Sequence, residues 1–214
     1  MTSSHLPGAR RPVRPLRAGS LCTGYGGLDL AAADTLGAAL AWCAETDPQA
    51  SAILAARFPG VANLGDLTRV DWAGVPPVDL VTAGFPCQDI STAGRGAGIA
   101  EGTRSGLWIH IAEAAGQLRP SYLFLENVAA LRSRGLGKVL ADLAALGYDT
   151  QWASLRASDI GAAHRRDRIF VLAWKPAALP RLLAAARTHG REHQRHRAGG
   201  LLPGPPGPAK TTGP

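Results

Sequence analysis

The sequence predicts an α/β fold in which helices cover both faces of a mostly parallel sheet. Apolar segments of strand length alternate along the chain with segments of helical apolar spacing, which is the order of successive βαβ units. The chain has 214 residues, of which 46% are hydrophobic, enough for one domain with a substantial core. We expect this domain at 18–175, between a basic arm at 1–17 and a basic, Pro/Gly-rich, partly disordered tail at 176–214.

The first half of the domain predicts three strands and two helices. In chain order they are a strand at 18–24, a helix at 27–39, a strand at 40–47, a helix at 48–58 and a buried strand at 78–85. The strand at 18–24 is a short apolar run that ends in glycine. The helix at 48–58 begins with a proline, which suits the first helical turn.

The second half continues the alternation. Its predicted elements are a helix at 106–118, a strand at 121–128, a helix at 137–147, a strand at 149–157 and a last strand at 168–174. Beyond Lys175 only 179–187 keeps a weak helical spacing, and the proline- and glycine-rich end cannot build a core. We therefore expect the packed core to end near Lys175.

The net charge of +7 is concentrated at the two ends of the chain. Residues 1–17 contain four arginines and no acidic residue, and 176–214 contain five arginines, one lysine and one glutamate. The segment between them has more acidic than basic residues. Basic ends attract polyanions such as nucleic acid without specifying sequence. Solubilising termini explain these ends equally well.

Several classes of protein are disfavoured by composition. The three cysteines include no CxxC pair, which argues against a disulfide scaffold and against a bound metal. The N-terminal arginines are followed by no apolar stretch of about 7–15 residues, so a secretory signal is not indicated. No run approaches the roughly 20 apolar residues of a membrane span. We expect a reduced, soluble, cytoplasmic protein with no membrane partner.

Three polar signals follow the predicted strands at 18–24 and 40–47 and the next short apolar segment, at the edge where parallel sheets bind ligands. TGYGG (23–27) opens the first helix with glycines that permit a tight turn and close approach of a ligand. A tight turn that binds no ligand explains these glycines equally well. Glu45 is placed to bind ribose hydroxyls. Asp66 is placed to hold an adenine amino group or to cap a helix. Together they predict a pocket for an adenosine-containing cofactor.

Cys87, within GFPCQDIS (84–91), follows a buried strand on the same edge. It is either a nucleophile presented at the strand end or a small apolar residue that closes the strand. Pro86 stiffens the start of the loop. The polar, glycine-rich segment that follows, with Gln88 and Ser91, suits a mobile loop that closes over a substrate. Because a thiolate nucleophile needs a polar setting, this position favours the first interpretation.

Two further groups lie at strand ends on this edge. Glu126 follows the apolar run YLFL, where burial favours a protonated carboxyl that can donate. Asn127 follows it directly, and we assign it with the substrate loop. HRRDRIF (164–170) places three arginines before the last strand. They form either a surface charge cluster or a set of guanidinium groups that bind phosphate or a base carbonyl.

These motifs carry a resemblance to a known family. GFPCQDIS, LENV (125–128) and HRRDRIF, in this order and spacing, resemble the DNA cytosine-5 methyltransferases. SLCTGYGGLDLA (20–31) resembles their first cofactor motif, and GTRSGLW (102–108) resembles the segment after their catalytic loop. The resemblance covers roughly residues 17–175. It implies a Rossmann-like methyltransferase fold with S-adenosylmethionine as methyl donor and DNA as substrate.

The resemblance also implies a role for each site residue. Cys87 would add to C6 of cytosine and so activate C5 for methylation. Glu126 would hold the N3 and amino edge and supply a proton, while Arg166 and Arg168 would contact the ring O2 and the adjacent backbone. The base would be flipped out of the duplex. The implied cofactor-binding residues are Gly24, Tyr25, Gly26, Gly27, Glu45, Asp66, Leu67 and Leu107.

The chain departs from the family pattern in its motifs and in its length. The family's first motif usually starts Asp-Leu-Phe, whereas Ser20 and Cys22 stand at its first and third positions here, so an aromatic partner for adenine is absent. His164 replaces a usual glutamine. Only 39 residues follow Lys175, and we expect them not to form the family's target-recognition domain.

Three hypotheses follow from these departures. The first is an active, minimal cytosine-5 methyltransferase acting on DNA rather than RNA, with a partner chain supplying target recognition. The second is a catalytically impaired remnant, or a half-enzyme that needs a partner chain. The third is a cysteine hydrolase that uses Cys87 with His110 or His164, and it leaves Glu45 and Asp66 unexplained.

Overall fold

The computed structural model describes residues 14–85 and 106–199, with side chains described as far as His189. Its strands are β1 Arg17–Leu21, β2 Ala39–Ala44, β3 Ala62–Asn63, β4 Leu80–Gly84, β5 Tyr122–Val128, β6 Asp149–Arg156 and β7 Asp167–Trp174. Its helices are α1 Gly27–Leu36, α2 Pro48–Arg57, α3 Leu107–Leu118, α4 Leu131–Arg134, α5 Leu136–Ala145 and α6 Leu179–Gly199. Short 3-10 helices occupy Leu67–Arg69, Trp72–Gly74, Ala157–Ile160 and Pro176–Ala178.

The strands form one sheet in the order β3-β2-β1-β4-β5-β7-β6. β7 runs antiparallel to both of its neighbours, and the other adjacent strands are parallel. The predicted α/β class with a mostly parallel sheet is confirmed. The ends of β1, β2, β4 and β5 lie at one edge of the sheet, which we call the carboxyl edge; the opposite edge is the amino edge. Because β7 is antiparallel to β5, the turn from β6 into β7 also lies at the carboxyl edge.

Local backbone chemistry sets the ends of the first two strands. β1 ends at Leu21, earlier than predicted, because Cys22 (φ 49°) and Gly24 (φ 55°) adopt left-handed conformations that no strand accommodates. β2 ends at Ala44 because the next residues lead into the cap of α2. The Asp47 side chain accepts the Ala50 N–H at 2.8 Å, an N-cap that precedes a proline in the first turn.

The core has two layers, one on each face of the sheet. Side chains of a strand alternate between faces, so adjacent residues such as Leu80 and Val81, or Tyr122 and Leu123, belong to different buried clusters. One cluster joins the sheet to α3 and α5 through residues that include Trp108. The other joins it to α1 and α6.

Helix α6 corrects our expectation that the core ends near Lys175. Leu182 and Ala185 are 5% and 8% exposed and belong to the second buried cluster. Just before the helix, the Tyr122 hydroxyl donates to the Ala178 carbonyl at 2.7 Å. The weak spacing of small apolar residues at 179–187 is sufficient here because the facing surface of α1 is itself rich in alanine. The first part of the predicted tail is therefore a packed element.

The predicted basic arm is also packed at its end. Leu16 is 1% exposed within the second cluster. The Arg14 guanidinium binds both oxygens of Asp79 at 2.9 and 2.8 Å, and Arg181 of α6 donates to Asp79 Oδ1 at 2.9 Å. Because Asp79 immediately precedes β4, these contacts hold both terminal segments to the amino edge. We call the three side chains the Asp79 cluster.

Candidate active site

The loop between β1 and α1 carries the predicted glycines. Gly24 and Gly26 have φ of 55° and 77°, so a side chain at either position would strain the backbone. A Cβ at Gly24 or Gly27 would meet no heavy atom within 4 Å, and the Tyr25 side chain is 59% exposed. The loop therefore presents backbone next to open space at the carboxyl edge, as a cofactor loop requires.

Glu45 joins this loop to the end of β2. One carboxylate oxygen accepts the Gly24 N–H at 2.7 Å, and the other accepts the Thr46 and Asp47 N–H groups at 2.9 Å each. A carboxylate offers about four acceptor positions, so capacity remains for a ribose hydroxyl. Glu45 thus fixes the loop that it would share with a ligand.

Asp66 caps the short helix Leu67–Arg69, which is one of the two roles foreseen for it. Its side chain accepts the Thr68 N–H at 3.0 Å and the Thr68 hydroxyl at 2.8 Å, and the hydroxyl contact is the main cause of its lowered pKa. Leu67 is buried in the core, so a ligand would meet its backbone rather than its side chain. Leu107, at the start of α3, is half-buried against the same core. Their binding of adenine stays a prediction.

Cys22 lies where these acidic residues converge. Burial raises the pKa of its thiol to about 12, and the negative charges of Glu45 and Asp66 add to the shift. Cys43, which is buried in β2, has a thiol pKa raised to about 11, chiefly by burial. Both thiols are therefore protonated at neutral pH and are poor nucleophiles.

Glu126 and Arg168 form an ion pair at the carboxyl edge. The distance from Arg168 Nε to Glu126 Oε1 is 2.6 Å, and the side chains are 21% and 23% exposed, respectively. The burial that we expected for Glu126 is therefore partial. Arg166 is exposed in the β6–β7 turn, where its backbone N–H donates to His164 Nδ1 at 3.3 Å. Of these two predicted arginines, Arg168 is the one that contacts Glu126.

The cofactor side and the Glu126 side meet at Gly84. Gly84 pairs with Glu126 in the register of β4 and β5. A Cβ placed on Gly84 would lie 3.6 Å from the Cys22 carbonyl oxygen and 3.7 Å from Glu126 Oε2. The absence of a side chain at this position leaves a gap between the first loop and the Glu126 carboxylate. A Cβ at this position would make ordinary van der Waals contacts, so the space is about the size of one carbon atom.

The end of β4 is held by two residues beyond the predicted catalytic set. Asn127 donates from Nδ2 to the Phe85 carbonyl at 3.1 Å, and the Trp108 ring packs on the Phe85 ring with centroids 5.6 Å apart. Trp108 is fixed in turn by Asp142, which accepts its indole N–H at 2.7 Å. Sequence reasoning missed Trp108 and Asp142, although a tryptophan at a helix start was a visible signal. Pro86, Cys87, Gln88 and Ser91 lie outside the described residues.

A buried polar group under the first loop was also missed. Asp29, in the first turn of α1, is 4% exposed, and it accepts hydrogen bonds from the Ser20 hydroxyl at 3.0 Å and the Thr82 hydroxyl at 2.6 Å. Burial raises the pKa of this carboxyl, while the two hydroxyls act against that shift. Asp29 ties the start of α1 to β1 and β4, the two strands that border the gap at Gly84. An acidic residue within the apolar run GLDLAAA was its signal.

A mostly parallel sheet with a glycine loop after β1 and a carboxylate after β2 defines an α/β protein of the Rossmann-like, nucleotide-cofactor class. Comparison with known proteins is more specific. The model of the C-5 cytosine-specific DNA methylase family matches residues 16–198. The chain belongs to this family, and its sheet has the Rossmann-like methyltransferase fold.

Individual relatives agree with this assignment. The chain is 36% identical over 162 residues to the type II methyltransferase M2.BsuMI of Bacillus subtilis, with 72% of this chain and 41% of that protein covered. It is 35% identical over 156 residues to M.NgoBI of Neisseria gonorrhoeae, covering 71% and 48%. The S. pombe Dnmt2 methyltransferase has the same fold, with a TM-score of 0.63 at 20% identity over 75% of this chain and 51% of that one. The chain spans less than half the length of these two type II relatives.

The described part of the chain has neither a membrane-spanning helix nor a metal-binding cluster. No helix in 14–85 or 106–199 has the length and hydropathy needed to cross a bilayer. The same residues contain no group of three or more His, Cys, Asp or Glu side chains arranged to hold a metal ion.

Proposed function

We propose that the protein transfers a methyl group from S-adenosylmethionine to C5 of a flipped cytosine in DNA. Membership of the C-5 cytosine-specific DNA methylase family supports the reaction class. The observation that carries the proposal is the gap at Gly84, which lies between the Cys22 carbonyl and the Glu126 carboxylate. A cofactor bound over the first loop and a base bound at Glu126 would meet there.

The residues around the first loop fit S-adenosylmethionine, which is the methyl donor of this family. The backbone of 24–27 and the Glu45 carboxylate would hold the methionine part and the ribose, while Asp66 and the Leu67 backbone would hold the adenine. The carboxylates near Cys22 suit a sulfonium cation. When bound, the cofactor supplies an electrophilic methyl group.

The protein's part of the chemistry is to make C5 nucleophilic. Cys87, after its thiol has lost its proton, would form an S–C6 bond as the thiolate, and the electron pair displaced from the C5–C6 double bond would be available at C5. Glu126 would hold the N3 and amino edge and supply the proton that balances the charge on the ring. After C5 has gained the methyl group, a base removes the C5 proton, the Cys87–C6 bond breaks with the electron pair returning to sulfur, and the proton that Glu126 supplied returns to its carboxylate, which restores the aromatic ring.

Arg168 and Arg166 would have different roles in the reaction. Arg168 would orient the Glu126 carboxylate, which it contacts at 2.6 Å, and would approach the ring O2 from β7. Arg166, which is exposed in the β6–β7 turn, would contact the DNA backbone. Their assignment as catalytic residues rests on the motif that they share with the family and on this ion pair.

The substrate, a partner chain, the biological role and the cellular location of the protein can also be proposed. We favour DNA over RNA because the family model describes DNA methylases. We also propose that a partner chain supplies target recognition, and that the setting is restriction–modification, because the two relatives described above are type II methyltransferases. The cytoplasmic location stays a prediction from composition. In the half-enzyme alternative, the partner chain would be required for any methyl transfer, and not only for target recognition.

The test is incubation of the purified chain with methyl-labelled S-adenosylmethionine and DNA of mixed sequence, followed by base analysis. We expect label in 5-methylcytosine and no label when Cys87 is replaced by alanine. Cys43→Ala is the matched control, because its thiol is buried within β2 and should not be required. Labelled adenine, or equal labelling by Cys87→Ala, would refute the proposal. Label that appears only with a partner chain would favour the half-enzyme.

A further inference from the structure

The turn between β6 and β7, residues 157–166, presents an isoleucine to solvent. The Ile160 side chain is 83% exposed, more than any other large hydrophobic residue in the described part of the chain. Single exposed apolar residues are common on protein surfaces. Ile160 is informative because of how the turn that carries it is built and where that turn lies.

The turn is closed by its own hydrogen bonds. The Ala157 N–H donates to the Arg166 carbonyl at 2.9 Å, and the Ala162 N–H donates to the Ala157 carbonyl at 3.0 Å. The Asp159 side chain accepts the Arg156 N–H at 3.0 Å. Gly161, at φ 88°, supplies the left-handed residue that ends the short helix carrying Ile160. The exposure of Ile160 is thus a property of a defined turn.

This turn lies beside the catalytic groups. β7 begins at Asp167, directly after the turn, and the next residue is Arg168, which contacts Glu126. Three consecutive residues of the turn, His164, Arg165 and Arg166, are exposed.

The acidic side chains of Asp159 and Asp167 both face Arg156, the last residue of β6. Asp159 caps the turn, and Asp167 lies 3.7 Å from Arg156. The face beside Glu126 therefore combines one apolar tip with exposed positive charge.

We propose that the β6–β7 turn is a DNA-binding surface in which Ile160 contacts the bases as an apolar wedge and Arg165 binds a phosphate. This inference rests on the proposed function. Charge complementarity selects DNA as the occupant, since arginines bind phosphates. Apolar side chains inserted between bases are an established way to unstack a duplex, and a flipped cytosine leaves an unstacked position in need of an apolar contact. Ile160 would occupy or border that position.

The two residues contribute to binding in different ways, which makes the inference testable. A lost phosphate contact reduces the slope of log affinity against log salt by about one. Loss of an apolar contact weakens binding equally at all salt concentrations. We therefore expect Ile160→Ala to weaken binding of cytosine-containing duplex DNA by about tenfold, the effect of removing a well-buried branched side chain, with an unchanged salt slope. Arg165→Gln should lower the slope.

The experiment measures DNA affinity of the full chain by fluorescence anisotropy over a range of salt concentrations. Leu183→Ala is the matched control, because Leu183 is also exposed, at 47%, but lies on α6. It should bind like the unmodified chain. All three variants should bind S-adenosylhomocysteine normally, which checks that they are folded.

The outcomes separate the inference from the proposed function. If Ile160→Ala binds DNA as tightly as Leu183→Ala does, the wedge is refuted, whereas methylation by the unmodified chain would still support the proposed function. If Arg165→Gln leaves the salt slope unchanged, the phosphate contact is refuted. A chain that neither binds nor methylates DNA overturns both.

Discussion

At the scale of single residues, the site depends on where side chains are absent as much as on where they are present. Gly84 has no carbon to place between the Cys22 carbonyl and Glu126 Oε2. Asp29 fills a buried position below it and holds β1, β4 and α1 together through two hydroxyl groups. The first residue keeps the gap open, and the second fixes the elements that border it.

A prediction follows for Gly84. Its φ lies outside the left-handed region, so alanine and valine fit the backbone, but each occupies part of the gap. We expect Gly84→Ala to slow methyl transfer by roughly tenfold and Gly84→Val by roughly 100-fold or more, because misplacement of reactants by about 1 Å has effects of this size. S-Adenosylhomocysteine binding, measured by calorimetry, should change little. Valine-substituted protein with a normal rate would show that transfer occurs elsewhere.

The sequence motifs identified which residues belong to the site, but they did not show which of these residues contact each other. The residues that end strands, such as Glu45 and Glu126, could be placed at one edge because parallel strands all end there. The partner of Glu126 could not be chosen between Arg166 and Arg168, since that depends on the antiparallel register of β7 against β5. Trp108 and Asp142 were missed for the same reason: their contact joins α3 to α5, which are distant in sequence.

At the scale of elements, α6 and the end of the basic arm change the description of the domain. Both are bound to Asp79, which is buried at the amino edge. Burial acts to raise the pKa of this carboxyl. The Arg17 backbone N–H and the guanidinium groups of Arg181 and Arg14 outweigh it, so that the pKa is lowered overall. The packing of α6 on the core was not predicted from the sequence, because only a few small apolar residues form the buried side of this helix.

The Asp79 cluster predicts a pH-dependent contribution to stability. A carboxyl whose pKa is lowered by folding stabilises the protein above its unfolded value of about 3.9, and this stabilisation is lost as the pH falls through the folded pKa. We expect Asp79→Asn to lower the free energy of unfolding by about 1–3 kcal/mol at pH 7. The deficit should shrink below about pH 4.

Urea denaturation at both pH values measures this effect. Lys138→Met is the control, because it breaks an exposed pair with Asp142 that is worth only about 0.3–0.5 kcal/mol. A deficit for Asp79→Asn that stays constant down to pH 3 would show that the ion pairs are not its cause.

A second prediction at this scale concerns truncation within the predicted tail. Removal of everything after Lys175 exposes the apolar surface that Leu182 and Ala185 cover, including parts of Leu16 and Tyr122. We expect this shorter chain to lose several kcal/mol of stability, at about 25 cal/mol per Å² of apolar surface, or to be insoluble. A chain that ends at His189 keeps those contacts and should unfold at nearly the same urea concentration as the full chain. Equal stability of both truncations would remove α6 from the core.

At the scale of the whole molecule, base-edge contacts supply sequence specificity, while phosphate contacts supply salt-sensitive affinity. The chain is basic at both ends, and it spans less than half the length of the two type II relatives compared above. We expect the isolated chain to bind DNA with little sequence preference, with an affinity that falls steeply as salt rises.

Methylation by the isolated chain should correspondingly be slow and spread over many sequences, or should require a second polypeptide. Sequencing of treated DNA for 5-methylcytosine tests this prediction. The control is the chain ending at His189, which lacks most of the basic tail and should bind DNA more weakly. Efficient methylation confined to one short motif would show that residues of this chain already read the target sequence.

Covalent catalysis through Cys87 can be tested with DNA that contains 5-fluorocytosine. The fluorine at C5 cannot leave as a proton does, so elimination of the cysteine is blocked after methyl transfer. With S-adenosylmethionine present, we predict a protein–DNA adduct that survives denaturation, and mass spectrometry should place it on the peptide that contains Cys87. Cys87→Ala should form none, and Cys43→Ala should form it normally. An adduct on another residue, or methylation of normal DNA without any adduct on fluorinated DNA, would contradict the mechanism.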